Sequence, residues 1–182
     1  NIPGWRTNRK ILVIESDDWG SVRIRDKKAY DALKQRGLNV DAKHYDSMDT
    51  LESNDDLELL FELLVSFKDN NGRHPVFTPM CIMGNPDFDR IKESDYENYF
   101  FQPLKNTIIE FPTSDRILDL WKKGLEDNIF VPEIHGREHI NVRRYMKILK
   151  CHEGKEGMRF ALDLHSVGPS EYRGYKFPNY LG

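Results

Sequence analysis

The sequence predicts an α/β fold with a parallel sheet. Three apolar runs rich in β-branched and aromatic residues alternate with stretches of helical periodicity. The first and third of these runs end directly in carboxylate or imidazole residues. Strands and helices that alternate in this way pack as a parallel sheet covered by helices.

The first strand is expected over residues 10–16, where Ile11, Leu12, Val13 and Ile14 form a continuous apolar run of the kind that a parallel sheet buries on both faces. Residues 26–36 predict a helix with Ala29, Tyr30 and Leu33 on one stripe and Gly37 as its stop. Residues 38–52 predict an irregular polar loop. A second helix begins near Ser53, which can cap it, with Asp55, Asp56 and Glu58 in the early turns where the helix dipole favours negative charge. Its expected core face is Leu57, Leu60, Phe61, Leu64 and Phe67. A second strand is expected from His74 to Met80, then a loop over residues 84–87. Residues 88–112 are aromatic-rich and interrupted by Pro103 and Pro112. Residues 114–126 predict a third helix with Ile117, Leu118, Trp121 and Leu125 inward. Residues 129–134 predict a third strand, and Glu138 to Leu149 a fourth helix. The stretch 153–182 carries no firm assignment. Three strands are too few for a closed barrel.

At 182 residues the chain is expected to form a single domain. A formal charge of -3 argues against a nucleic-acid partner or an anionic membrane surface. No apolar run approaches the roughly 20 residues of a membrane span. Cys81 and Cys151 form no CxxC pair or zinc-finger spacing. Both read as free thiols of a reducing compartment, which points to the cytoplasm.

Two constellations carry chemistry. Asp17 and Asp18 end the first strand, where parallel α/β folds place their sites. Adjacent strand residues point to opposite faces, so the strand must end or bend if both are to reach one site, and Gly20 helps that turn. His135 and His139 follow the third strand, four residues apart, a spacing that puts both imidazoles on one side of a helical turn. Neutral imidazoles are ligands for zinc and similar metals. One Asp with two His makes a three-ligand site with open positions, and the other Asp can serve as general base.

These motifs resemble the polysaccharide deacetylase (NodB-like) family of carbohydrate esterases, in which a strand ends in Asp-Asp-Gly and a His-x-x-x-His motif follows later. Ile-Glu-Ser-Asp17-Asp18-Trp-Gly matches the first and His135-Gly-Arg-Glu-His139 the second. Trp19 separates the Asp pair from Gly20, where the family has Gly directly. The resemblance spans roughly residues 10–150. It implies a partial or distorted (β/α) barrel, with residues 1–182 the N-terminal part of a larger one. It implies Asp17 as catalytic base, Asp18, His135 and His139 as metal ligands, a divalent cation (zinc) as cofactor, and an acetylated carbohydrate as substrate. The family's late Leu-x-His motif has a counterpart in Leu162-Asp163-Leu164-His165, which comes too soon after the second motif.

The alternative expectation is a non-catalytic, carbohydrate-binding or scaffold relative of the same fold; a third is another metal-assisted hydrolase or a non-haem iron enzyme. Thr78, Asn85 and Asp87 are candidates for the site rim, and Arg137 and Glu138 for partners of the ligands. Trp19, Tyr99, Phe100 and Phe101 are candidates for stacking on sugar rings.

Overall fold

A three-stranded parallel sheet organises the chain. The computed structural model describes residues 4–40, 50–151 and 155–169. The strands of that sheet are β1 (Glu15–Trp19), β2 (Thr78–Ile82) and β5 (Glu133–Gly136), in the order β1-β2-β5. Helices α1 (Lys27–Gln35) and α2 (Asn54–Val65) lie between β1 and β2 in sequence. A short antiparallel pair, β3 (Gly84–Pro86) and β4 (Phe101–Pro103), brackets α3 (Phe88–Glu93). Helix α4 (Leu104–Ile109), a 3-10 turn at Pro112–Ser114 and α5 (Ile117–Glu126) lead into β5, and α6 (Val142–Cys151) and α7 (Lys155–Asp163) follow it. The fold is mixed α/β as expected, and the described residues close no barrel.

Each strand lies further along the chain than the apolar runs predict. Pairing begins where Ile14 O accepts the N–H of Thr78 at 3.0 Å. Residues Ile11, Leu12 and Val13 precede that point and are exposed, Leu12 by 85%. Phe77 directs both its N–H and its C=O to the other neighbour, to Ile129 and Val131, as alternate residues of a central strand do. No backbone hydrogen bond among the described residues extends the pairing from residues 74–76 to Ile11, Leu12 and Val13. Phe130 likewise meets Phe77 only as an isolated bridge before β5 begins.

The helices follow their caps. Asp26 accepts the N–H of Ala29 and starts α1. Ser53 and Asp56 form a capping box on α2. In α5 the inward stripe is Ile117, Leu120 and Gly124 with Trp121 partly buried, while Leu118 and Leu125 are exposed. They sit about 100° and 80° round the helix from Ile117, on its flank. Phe67 is exposed because α2 stops at Val65. Helix α6 starts at Val142, four residues later than expected: Asn141 is its cap, its carbonyl accepting the N–H of Tyr145 and its side chain that of Arg144. The segment 88–112, expected to be irregular, holds α3, β4 and α4. Most of the predicted 38–52 loop, His44, His152, the Cys151 side chain and residues 170–182 lie outside the described residues.

Parallel register gives the sheet two unlike faces. Glu15 pairs with Thr78 and Met80 with Glu133, so Glu15, Asp17, Thr78, Met80, Glu133 and His135 share one face. Ser16 and Pro79, then Trp19, Cys81 and Ile134, share the other. Trp19 stays on that second face because a register shift between Ser16 and Trp19 inserts an extra residue. On this face, under α2 and α5, Trp19 meets Phe77 and Phe130 edge-on at 5.5 Å each, within the core built on Leu57, Phe61, Ile117 and Phe130.

Two predictions follow from this core. A Cβ added at Gly124 would stand 2.6 Å from Phe130 Cβ and 2.7 Å from Phe61 Cζ. Gly124→Ala gains about 1 kcal/mol of helix preference but meets an overpacking cost of roughly 1–3 kcal/mol, so its melting temperature is expected to fall below that of the parent protein.

Glu52 is half-buried overall, yet its Oε1 is out of contact with solvent and has no hydrogen-bond partner. Burial, with a smaller contribution from Asp56, pushes its carboxyl from 4.5 up to about 7. Burial, and Glu52 beside it, push the free thiol of Cys81 up to about 12. Between pH 4.5 and 7 the unfolded Glu52 releases its proton while the folded one retains it, so stability falls as pH rises through that window. Glu52→Gln is expected to match the parent at pH 4.5 and exceed it at pH 8 by on the order of 3 kcal/mol in urea denaturation.

Candidate metal centre

β1 ends in a turn that aims Asp18. Ser21 N–H donates to Asp18 O at 3.2 Å, and Asp18 takes φ +60° in the left-handed region, which Asp tolerates better than most residues. Gly20 follows at φ +83°, where a Cβ would strike Leu104 Cδ1 at 2.7 Å. Asn85, buried on β3, pins this turn from across the chain. Its Oδ1 accepts the N–H of Val22 at 2.8 Å, and its Nδ2 donates to Gly20 O at 2.8 Å and to Thr107 Oγ1 at 3.3 Å. Asn85 is thus a brace for the site, not a rim residue. Asp87 caps α3 through Arg90 N–H, and Thr78 sits earlier on β2.

The bend brings both carboxylates to the two histidines. His139 Nδ1 lies 2.8 Å from Asp18 Oδ1; His135 Nε2 lies 3.7 Å from the same oxygen and 3.1 Å from Asp17 Oδ1. The imidazole centroids are 5.2 Å apart. Asp18, His135 and His139 each offer a ligand atom within 4.8 Å of the others, a group that can hold a metal ion. Two ligand atoms on a tetrahedral ion with arms of 2.0–2.2 Å are about 3.4 Å apart; the 3.7 Å separation is close to this, while the 2.8 Å contact is of hydrogen-bond length and would open on binding an ion. Asp18 Oδ1 is itself buried, and the imidazole nitrogens of His139 and His135 are what it faces. His135 and His139 reach this position from the end of β5 and the loop before α6, not from one helical turn as their spacing predicts.

Asp17 and Asp18 differ in their surroundings. The Asp17 side chain is 63% exposed and that of Asp18 18%. Asp17 Oδ1 accepts the N–H of Asp18 at 3.0 Å. The second oxygen of Asp18, Oδ2, is held by the guanidinium of Arg23. Arg23 was not singled out among the sequence candidates. Its signal is the alternation Val22-Arg23-Ile24-Arg25, with Val22 and Ile24 buried and the arginines half-buried, in a segment that bends at Arg23 and Ile24.

The remaining candidates separate. Trp19 belongs to the core and does not shape the site. His165 is engaged elsewhere: its Nε2 is 3.0 Å from Asp89 Oδ1, its Nδ1 3.1 Å from Arg25 Nη1, and its ring stacks on Phe88. Arginine can only donate, so Nδ1 is the acceptor and Nε2 carries the proton. Glu138 pairs with Arg137. No protein-family model matches the chain, and no curated protein or solved structure is significantly similar to it. Among the described residues no helix is long and apolar enough to cross a membrane.

The purified protein is expected to take up one divalent cation per chain. Asp18→Asn preserves a residue that tolerates the left-handed backbone while removing the charge. Its affinity, measured by calorimetric titration, is expected to fall by more than about 100-fold, beyond the loss of an outer partner.

Proposed function

We propose that the protein is a metal-dependent hydrolase that removes acetyl groups from a saccharide, with the sheet β1-β2-β5 as the opening part of a NodB-like (β/α) barrel. The observation that carries the reading is the convergence of Asp18, His135 and His139 at the C-terminal ends of parallel strands, with Asp17 beside them. One carboxylate and two imidazoles suit zinc, with positions left for water and substrate. A cation there supplies Lewis acidity, lowering the pKa of water and polarising the acetyl carbonyl.

The chain's own residues do the rest. Asp18, His135 and His139 would hold the cation, and Arg23 fixes Asp18 through Oδ2. Asp17 is exposed and lies against His135, so its carboxylate can accept the proton of the water that attacks the carbonyl. The C–N or C–O bond to the sugar then breaks, the proton held by Asp17 passes to the departing nitrogen or oxygen, and acetate and the sugar amine or hydroxyl are released.

One observation favours the second reading, a non-catalytic saccharide-binding relative: the histidine of the late Leu-x-His segment is occupied by Asp89 and Arg25. Turnover separates the two. On the deacetylase reading, metal-loaded protein releases acetate from acetylated oligosaccharides, and Asp17→Asn retains the metal while kcat falls by about 10²–10⁴-fold, the range for loss of a general base. Stoichiometric metal with no acetate release from N- or O-acetylated substrates would overturn the deacetylase reading in favour of the binding relative or of a different metal chemistry.

A further inference from the structure

We infer that two copies of this chain pair through the outer face of α2, antiparallel across a two-fold axis, with Leu59 of one copy on Leu63 of the other; the inference is independent of the deacetylase reading. α2 is apolar on two opposite sides. Leu57, Phe61 and Leu64 are buried in the core. Leu59 lies about 160° round the helix from both Leu57 and Phe61, and Leu63 as far from Phe61. They are 64% and 57% exposed. A surface helix ordinarily carries one apolar stripe and turns polar residues to the other side. Here a second stripe runs along the outside and continues past the helix end to Phe67, which is 60% exposed.

The apolar surface is larger than the stripe. Phe67 lines a groove of about 1200 Å³ together with Ile11, Leu12, Val13 and Val76. Each of these is more than two-fifths exposed. Contiguous apolar surface on this scale marks a site of association. It amounts to several hundred Å² per copy, the order of the roughly 800 Å² per partner that a stable interface buries. Leu59 and Leu63 face away from the core under the sheet, so a strand added beside β1 leaves them open.

Charge selects the partner. The stripe is acidic at its start and basic at its end. Asp55 stands one turn before Leu59, and Glu62 lies beside Leu63; both are exposed and make no ion pair among the described residues. At the far end Lys68, Arg9 and Lys10 line the groove with Phe67 and also make no ion pair among the described residues, whereas Arg73 there is held by Asp69. In an isologous pair one patch meets itself reversed. With the axis between Leu59 and Leu63, Asp55 of each copy reaches the end of the other copy's stripe, where Phe67 and Lys68 stand. A parallel arrangement would set acid on acid and base on base. An acidic peptide laid along the stripe would face Asp55 and Glu62, and a basic one Lys68, Arg9 and Lys10; like charges so placed are repelled. A second copy satisfies both ends.

The test is sedimentation velocity of the full chain over a concentration series, with circular dichroism of each variant as the measure of folding. The parent protein is expected to dimerise reversibly. Leu63→Glu changes an exposed residue to another good helix former, so its helix content is expected to match the parent while its dimer dissociation constant rises more than about 30-fold. Lys68→Glu is expected to weaken the dimer about tenfold, and adding Asp55→Lys to it to restore the parent affinity. A parent that stays monomeric at every concentration, a dimer unchanged by folded Leu63→Glu, or a double reversal no tighter than Lys68→Glu alone would overturn the proposal. Zinc uptake, measured on the same samples, is expected to be equal in all of them, so loss of the dimer and loss of the metal centre are read separately.

Discussion

The carboxamide of Asn85 is the tie on which the geometry of the centre depends. It is buried, lies 65 residues along the chain from Gly20 and binds backbone on both sides of the turn that follows Trp19. Both groups it satisfies would otherwise be main-chain polar atoms left inside the protein, each costing about 1–3 kcal/mol when unpaired. The same residue belongs to β3 and pairs with Gln102 of β4. The aim of Asp18 is therefore linked, through one side chain, to the hairpin that carries Phe101.

Asp17 and Asp18 are adjacent in sequence yet chemically unlike. The bulge and the left-handed residue let both escape the strict alternation of a strand, so one carboxylate is shielded among the imidazoles and the other stays in contact with water. Arg23 completes the distinction by engaging one oxygen of Asp18 and leaving the other facing the imidazoles. Two carboxylates in similar settings would compete for the same cation or proton; settings this different divide the roles.

The convergence of the candidate site residues was legible in the sequence because they cluster at strand ends, where both motif and topology point. Asp17, Asp18, His135 and His139 needed no knowledge of distant contacts. The strand limits were less legible: the run Ile11–Val13 has every local property of a strand but no partner to pair with. The start of α6 was less legible too, since Asn141 supplies the cap and Glu138 pairs with Arg137 before the helix begins. Arg23 and Asn85 were read weakly or not at all, since their roles exist only through contacts made across folded space. The placement of Trp19 turned on a single inserted residue, which no periodicity reveals.

The positive φ of Asp18 narrows what evolution or an engineer can do at that position. Glycine, asparagine, aspartate and histidine occupy such backbone more readily than other residues, and His165 does so in this chain at φ +49°. Exchanging this candidate ligand for cysteine would set a backbone cost of roughly 1–2 kcal/mol against any gain in softness, whereas histidine carries less of that cost. A change of ligand set at this corner is accordingly limited first by the main chain.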